Sequence, residues 1–384
     1  MPSATRNSPA TALTVLHPVF ALTGVLHAVG GALLPSLTAR FHLSDSTSGL
    51  LFLLYFAGTS LGALLCRRSF ARMITIGCVA MICTCLAVAV SPRPLLEPVF
   101  LLLGISVGVP MSAVTLFTGR NFPDRCAPLL TFLNFSWSIG ALAAPLIAAR
   151  ILMRYDYRAA YILFAIASAV AAVACGLILR DGPEPAHFAC DPAPGSTGLR
   201  LVAIFALAAF LQVGIENTVV TWLPTYALRM AGSGVVLAAA SSSFYWVGFL
   251  SSRGFSSLLL LRAAPMRVFR VAVALAFASA LLLEFAPSVM TRNIAMFLLG
   301  AALAPTYPLV LAGFFARARQ TADSRWILFT AGFGGSVLPW IAGFVSTQTA
   351  SIRAGMLTIP TALLIMAFIL PTLREPLLPK NANS

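Results

Sequence analysis

Apolar runs of roughly 18 to 24 residues recur along the whole chain, each long enough to cross a bilayer as a helix. Twelve of them can be placed, and no soluble domain interrupts them. The first six lie near 14–37, 48–66, 73–90, 99–117, 129–149 and 159–179. The second six lie near 201–223, 235–250, 268–285, 293–315, 326–345 and 356–372. Between the sets, the polar stretch 180–200 carries Pro183, Pro185, Pro192, Pro194 and Gly195 and reads as a linker. This predicts an all-α membrane protein of twelve transmembrane helices in two six-helix halves, 1–179 and 201–384, joined by a cytoplasmic linker at 180–200. The first dozen residues are polar and lead into an apolar run without a small-residue cleavage pattern, so the first helix is expected to remain uncleaved.

The two halves repeat in the same sense. Leu34-Pro35-Ser36-Leu37-Thr38-Ala39-Arg40 aligns with Leu223-Pro224-Thr225-Tyr226-Ala227-Leu228-Arg229, and the same offset sets His27 opposite Glu216. Gly62-Ala-Leu-Leu-Cys-Arg67 at the end of the second segment pairs with Gly248-Phe-Leu-Ser-Ser-Arg253 at the end of the eighth. Gly140-Ala-Leu-Ala-Ala-Pro145 in the fifth pairs with Gly334-Gly-Ser-Val-Leu-Pro339 in the eleventh. Halves related by a parallel repeat, with a site between them, are the plan of a secondary transporter.

Composition agrees with this plan. The chain is 59% hydrophobic and 9% charged, too little charge to keep 384 residues in water. Its net charge of +14 would suggest nucleic acid in a soluble protein, but here topology accounts for it. With the N-terminus inside, seventeen of the 25 Lys and Arg fall on the cytoplasmic side. That bias places both termini in the cytoplasm of a multi-pass protein of the inner membrane. No nucleic-acid partner is expected, only the lipid bilayer. The seven cysteines include no C-x-x-C pair and no His at metal spacing, so no metal, disulfide or other cofactor is assigned. The chain has no G-x-x-x-x-G-K-[ST] loop, so neither an ATP-driven pump nor a hydrolase is expected.

These residues resemble the major facilitator superfamily, over nearly the whole chain. The family's Gly-x-Leu-x-Asp-Arg loop is matched by Gly62, Leu64 and Arg67, with Cys66 at the acidic position. Its echo has Gly248, Leu250 and Arg253, with Ser252 there. Within the superfamily the chain is most similar to the fucose/glucose/galactose:proton symporter group. The matching pieces are Val213-Gly-Ile-Glu216-Asn-Thr-Val-Val-Thr-Trp222-Leu-Pro-Thr-Tyr226, Gly332-Phe-Gly-Gly-Ser-Val-Leu-Pro339-Trp and Asn121-Phe-Pro-Asp-Arg125. That resemblance implies uptake of a small polar solute, a sugar, with a coupling ion. Proton-coupled fucose carriers place acids in helices one and four. Here the first segment has His27 instead and the fourth, Val99 to Phe117, has no ionisable residue.

Candidate chemistry therefore centres on Glu216, an acid deep in an apolar segment. Intramembrane acids are functional by default. Glu216 and His27 are the proton-coupling candidates, since a carboxylate and an imidazole at one level can share a proton or a hydrogen bond. Gln212, Asn217 and Asn134 supply paired donors and acceptors for a hydroxylated solute. Trp137, at i+3 from Asn134, and Trp222, Tyr245 and Tyr307 supply rings that can stack on a sugar face. Trp222, near a segment end, fits interfacial anchoring equally well. Gly62, Arg67, Gly248, Arg253, Gly334 and Pro339 are assigned to gating and packing. Glu284 and Asp156, near outer ends, read as solvated. The function expected is proton-coupled symport of a sugar by a monomeric carrier. Proton-coupled efflux of lipophilic compounds, or a membrane solute sensor that does not transport, are the alternatives.

Overall fold

The computed structural model describes residues 9–66, 69–122, 126–180, 198–232, 234–260, 262–315 and 324–369. Most of the expected linker, 181–197, and Arg67 lie outside these residues. Among the described residues, twelve helical spans are long and apolar enough to cross a membrane. The first six are α1 (Pro9–Phe41), α2 (Asp45–Leu65), α3 (Phe70–Val90), α4 (Leu96–Asn121), α5 (Cys126–Leu152) and α6 (Tyr157–Ile178). Next come α7 (Leu199–Ala231), α8 (Val235–Leu259) and α9 (Pro265–Glu284). The tenth span is broken into α10 (Val289–Leu303) and α11 (Thr306–Phe315). The eleventh is α12 (Ser324–Thr349), and the twelfth is broken into α13 (Ile352–Met356) and α14 (Thr358–Ile369).

Packing follows the repeat. In the first half α1 packs on α5, α2 on α4, and α3 on both α4 and α6. In the second half α7 packs on α12, α8 on α10, and α9 on both α10 and α14. Across the halves, α1 meets α7, α2 meets α12 and α5 meets α8. Spans one and seven are each 33 residues long and run on through Pro35 and Pro224. The sequence expectation ended both near their prolines. Buried in a bundle, neighbouring groups can satisfy the backbone that a proline frees, so the helix need not stop. Both then end on a left-handed residue, His42 (φ 50°) after α1 and Gly232 (φ 59°) after α7.

Small residues let the backbones touch where the sequence anchors lie. A Cβ on Gly140 would strike the Ala21 carbonyl of α1, and one on Gly334 would strike the Phe210 carbonyl of α7. Likewise Gly248 faces the Phe297 carbonyl of α10, and Gly62 faces the Ile105 carbonyl of α4. Without a hydrophobic drive between helices in lipid, such close contact supplies the association. The periphery is apolar instead. Val170, Val173 and Leu177 of α6 are all more than 60% exposed, a surface suited to acyl chains.

Three expectations are corrected. The eighth segment does not end at Arg253 but continues to Leu259, because Phe255 to Leu260 extend the apolar run. The tenth segment breaks at Ala304-Pro305, and the Leu303 carbonyl there accepts from Gln212 Nε2 at 3.3 Å and from Thr306 Oγ1 at 2.5 Å. Glu284 is not solvated: it is 4% exposed, in electrostatic contact with Arg353 beside Tyr226.

Candidate functional site

A cavity of about 540 Å³ lies between the halves. Its wall includes Phe20 of α1, Leu64 of α2, Ser112 of α4, Asn134 of α5, Arg253 of α8 and Phe329 of α12. Helices α1, α5 and α12 run away from the end of the bundle that carries the N-terminus, whereas α2, α4 and α8 run toward it. All six positions therefore fall in the half of the bundle nearer that end. The opposite end is shut. Asp45 at the start of α2 takes both guanidinium nitrogens of Arg229 at 2.6 Å each. Ser346 of α12 donates to the same carboxylate, and Ser46 N donates to Thr347 Oγ1 at 2.7 Å. The backbones of Gly49 and Trp340 abut just beneath. The structure is thus open at one end and latched at the other.

Glu216, at mid-length of α7, is half-buried because its carboxylate faces this cavity. Arg253 stands on the same wall and acts on it electrostatically. The guanidinium donates to Ser138 Oγ of α5 at 2.9 Å and lies over the Phe249 ring, 4.6 Å from its centroid. This is the largest revision of the site. Arg253 is not a loop charge but an intramembrane cation that joins the second half to the first. The signal was present in the apolar residues after it, which keep it inside the span.

His27 and Glu216 both line the cavity, but the contact between α1 and α7 is made by neighbours of the pair. His27 is hydrogen-bonded to the Asn217 side chain, and Asn217 Nδ2 donates onward to the Gly335 carbonyl of α12 at 3.1 Å. One turn further, Gly31 abuts the Val220 backbone at the same offset that pairs His27 with Glu216. His27 also packs edge-on against Trp137, with centroids 5.1 Å apart, and Trp137 against Trp246 of α8 at 5.9 Å. The Trp137 Nε1 is buried with no hydrogen-bond partner among the described residues. Orphaned buried donors are rare, which sets this indole N–H apart from the other described groups that line the cavity.

Of the other candidates, Asn134, Trp137, Asn217 and Tyr307 line the cavity as well. Asn134 Nδ2 caps the Leu130 carbonyl of its own helix at 2.9 Å. Gln212, Trp222 and Tyr245 lie outside the lining. Gln212 serves the α10 break, and Trp222 donates from Nε1 to the Pro339 carbonyl at 2.8 Å, clasping α7 to α12. Tyr245 is fully buried behind the wall, its hydroxyl without a partner among the described residues. Gly62, Gly248 and Gly334 sit at helix contacts, and Pro339 lies within α12. Cys66, at the acidic position of the loop motif, donates from Sγ to the Val109 carbonyl at 3.2 Å. Asp45, Ser346 and Thr347 were missed entirely. Asp45 stands beside a helix start and has no repeat partner, so nothing local marked it as part of a latch.

Comparison with known proteins follows the same lines. The chain resembles the glucose/mannose transporter GlcP of Bacillus subtilis (strain 168), 22% identical over 380 residues that cover 91% of this chain and 92% of GlcP. Its fold matches that of a D-xylose–proton symporter with a TM-score of 0.77 at 13% identity, over 94% of this chain and 97% of the other. The transporter FucP in its outward conformation matches with a TM-score of 0.62 at 19% identity, over 95% and 99%. A family model described as Major Facilitator Superfamily matches residues 16–325. That match takes in well over half of the chain, and the protein belongs to the Major Facilitator Superfamily.

Proposed function

We propose that this transporter carries a sugar-like solute across the inner membrane together with a proton, by alternating access. The observation that carries the reading is Glu216: a carboxylate at mid-span, in a cavity whose polar groups come from both halves. Such an acid is costly in a membrane unless it faces a wet cavity and works there. Asn134, Asn217 and Tyr307 provide donors and acceptors for hydroxyls, and Trp137 and Phe56 provide apolar faces for the ring. The names of GlcP and the xylose symporter support a sugar as the solute class.

The Lys and Arg bias supports a cytoplasmic side for the open end of the cavity, which makes this an inward-open state. Two units, 1–179 and 201–384, rock about the contacts of α1 with α7, α2 with α12 and α5 with α8, joined by the 180–200 linker in a monomer. When the Asp45–Arg229 latch opens, Glu216 takes a proton from outside and solute enters. On return to the inward-open state both leave. Apolar wall residues such as Phe20, Met111 and Phe329 also suit a lipophilic solute and keep efflux as a second reading.

Counterflow in proteoliposomes tests the proposal. Liposomes preloaded with unlabelled hexose should transiently accumulate labelled hexose. A panel of hexoses and pentoses that gives no counterflow, while cells carrying the protein expel lipophilic dyes, would replace symport with efflux.

A further inference from the structure

The two parts of the broken tenth span pack on different neighbours. Up to Leu303, α10 packs on α8 and α9, whereas from Thr306 onward α11 packs on α7 and α9. Glycines bring α10 and α8 backbone to backbone. A Cβ on Gly300 would strike the Tyr245 carbonyl, as one on Gly248 would strike the Phe297 carbonyl. At the break, Pro305 has no N–H to give the Ala301 carbonyl, so the helical ladder lapses there. Tyr307 follows as the second residue of α11, half-buried on the cavity wall and within electrostatic reach of Glu216. The register of α10 therefore does not set its place. The contacts that hold the break do.

Two side chains make those contacts, and both donate to the carbonyl of Leu303, the last residue of α10. Thr306 Oγ1, from the first residue of α11, does so at 2.5 Å, and Gln212 Nε2, from α7, at 3.3 Å. Gln212 lies one turn before Glu216, so its bond sets the start of α11 against the part of α7 that carries the acid. The side chain is fully buried, and its Oε1 has no hydrogen-bond partner among the described residues. A buried amide with an idle oxygen is a weak source of stability, because that oxygen gives up water and gains no partner. Without Gln212 the Leu303 carbonyl would still keep Thr306 as a donor. What the amide contributes is position.

We infer that Gln212 is a positioning residue for solute binding: from outside the cavity, its amide fixes the break in the tenth span and so holds the Tyr307 hydroxyl where a solute hydroxyl meets it. The inference rests on the sugar reading above, in which Tyr307 is one of the groups that bind hydroxyls.

A double-mutant cycle on the full-length protein in proteoliposomes tests it, with labelled D-glucose as the first probe and D-xylose as the second. Gln212→Met keeps the approximate length and volume of the side chain and removes the amide. Its KM should rise about fivefold, the weight of one hydrogen bond, while maximal rate and melting temperature stay near wild type. A purely structural role would move the melting temperature instead. Tyr307→Phe should raise KM by a similar factor. The double variant should be no worse than Tyr307→Phe alone, since the hydroxyl that Gln212 places is already gone. Should Gln212→Met fail to fold, Thr306→Val removes the other donor to Leu303 and carries the same expectation. An unchanged KM in Gln212→Met or in Tyr307→Phe, or effects that multiply in the double variant, would overturn the positioning role and leave sugar transport standing. If wild type transports neither probe, the sugar reading falls and the inference with it.

Discussion

Arg229, near the end of α7, grips Asp45, at the start of α2, through two 2.6 Å hydrogen bonds across the interface of the halves. Asp45 is 8% exposed and Arg229 38%, so the pair is partly sheltered from water. It seals the end of the bundle opposite the cavity mouth, and Ser346 adds a third donor. It therefore holds that end closed while the cavity stays open at the other.

Breaking the latch should shift that balance. A geometrically good but half-exposed ion pair is worth about 1 to 3 kcal/mol, between surface and buried values. Spin labels at the outer ends of α2 and α12 should show a longer-distance population in Arg229→Gln. Exchanging the charges, Asp45→Arg with Arg229→Asp, should restore the short distance. An unchanged distance distribution in Arg229→Gln would show that the latch does not hold this state.

Trp137 and Trp222 should separate solute binding from stability. Trp222→Phe leaves the buried Pro339 carbonyl without its donor, a loss of about 1 to 3 kcal/mol. Its melting temperature should fall while KM stays the same, since Trp222 lies outside the cavity wall. Trp137→Phe keeps an aromatic ring near His27 but removes the pyrrole part of the indole with its Nε1–H. Its KM should rise about five- to tenfold, the weight of one hydrogen bond, together with a fall in melting temperature from the lost ring volume. Transport assays alongside thermal melts of the purified variants check both.

The glycine contacts give a third expectation. Gly248→Ala should lower stability by about 1 to 3 kcal/mol, because the new methyl meets the Phe297 carbonyl and two backbones must separate. Gly176→Ala in α6 has only Thr75 Cγ2 near, at 3.8 Å. It should gain about 0.5 to 1 kcal/mol from helix propensity. Melting curves of the two variants should move in opposite directions.

Much of this architecture was legible in the sequence because bilayer thickness fixes span length and a tandem repeat duplicates its anchors. Gly140 and Gly334, paired on paper, do the same work against α1 and α7. Glu216 was legible because acids in apolar runs are few. The rest depended on which way a helix turns and where it stops. Arg253 reads as a loop charge if the eighth span is ended at the first arginine. Gln212 is one turn from Glu216 yet faces the α10 break, and a span count cannot assign a face. Asp45 and Arg229 are far apart in sequence, and only the packing of α2 and α7 around α12 joins them.

Glu216→Gln tests the central claim most directly. Wild type and variant would be compared in proteoliposomes for net accumulation of labelled solute under an inward proton gradient, and for exchange without one. We expect the variant to lose accumulation altogether while retaining exchange, because glutamine resembles the protonated acid and cannot release a proton. Accumulation by Glu216→Gln at the wild-type level would contradict the assignment of Glu216 as the proton carrier.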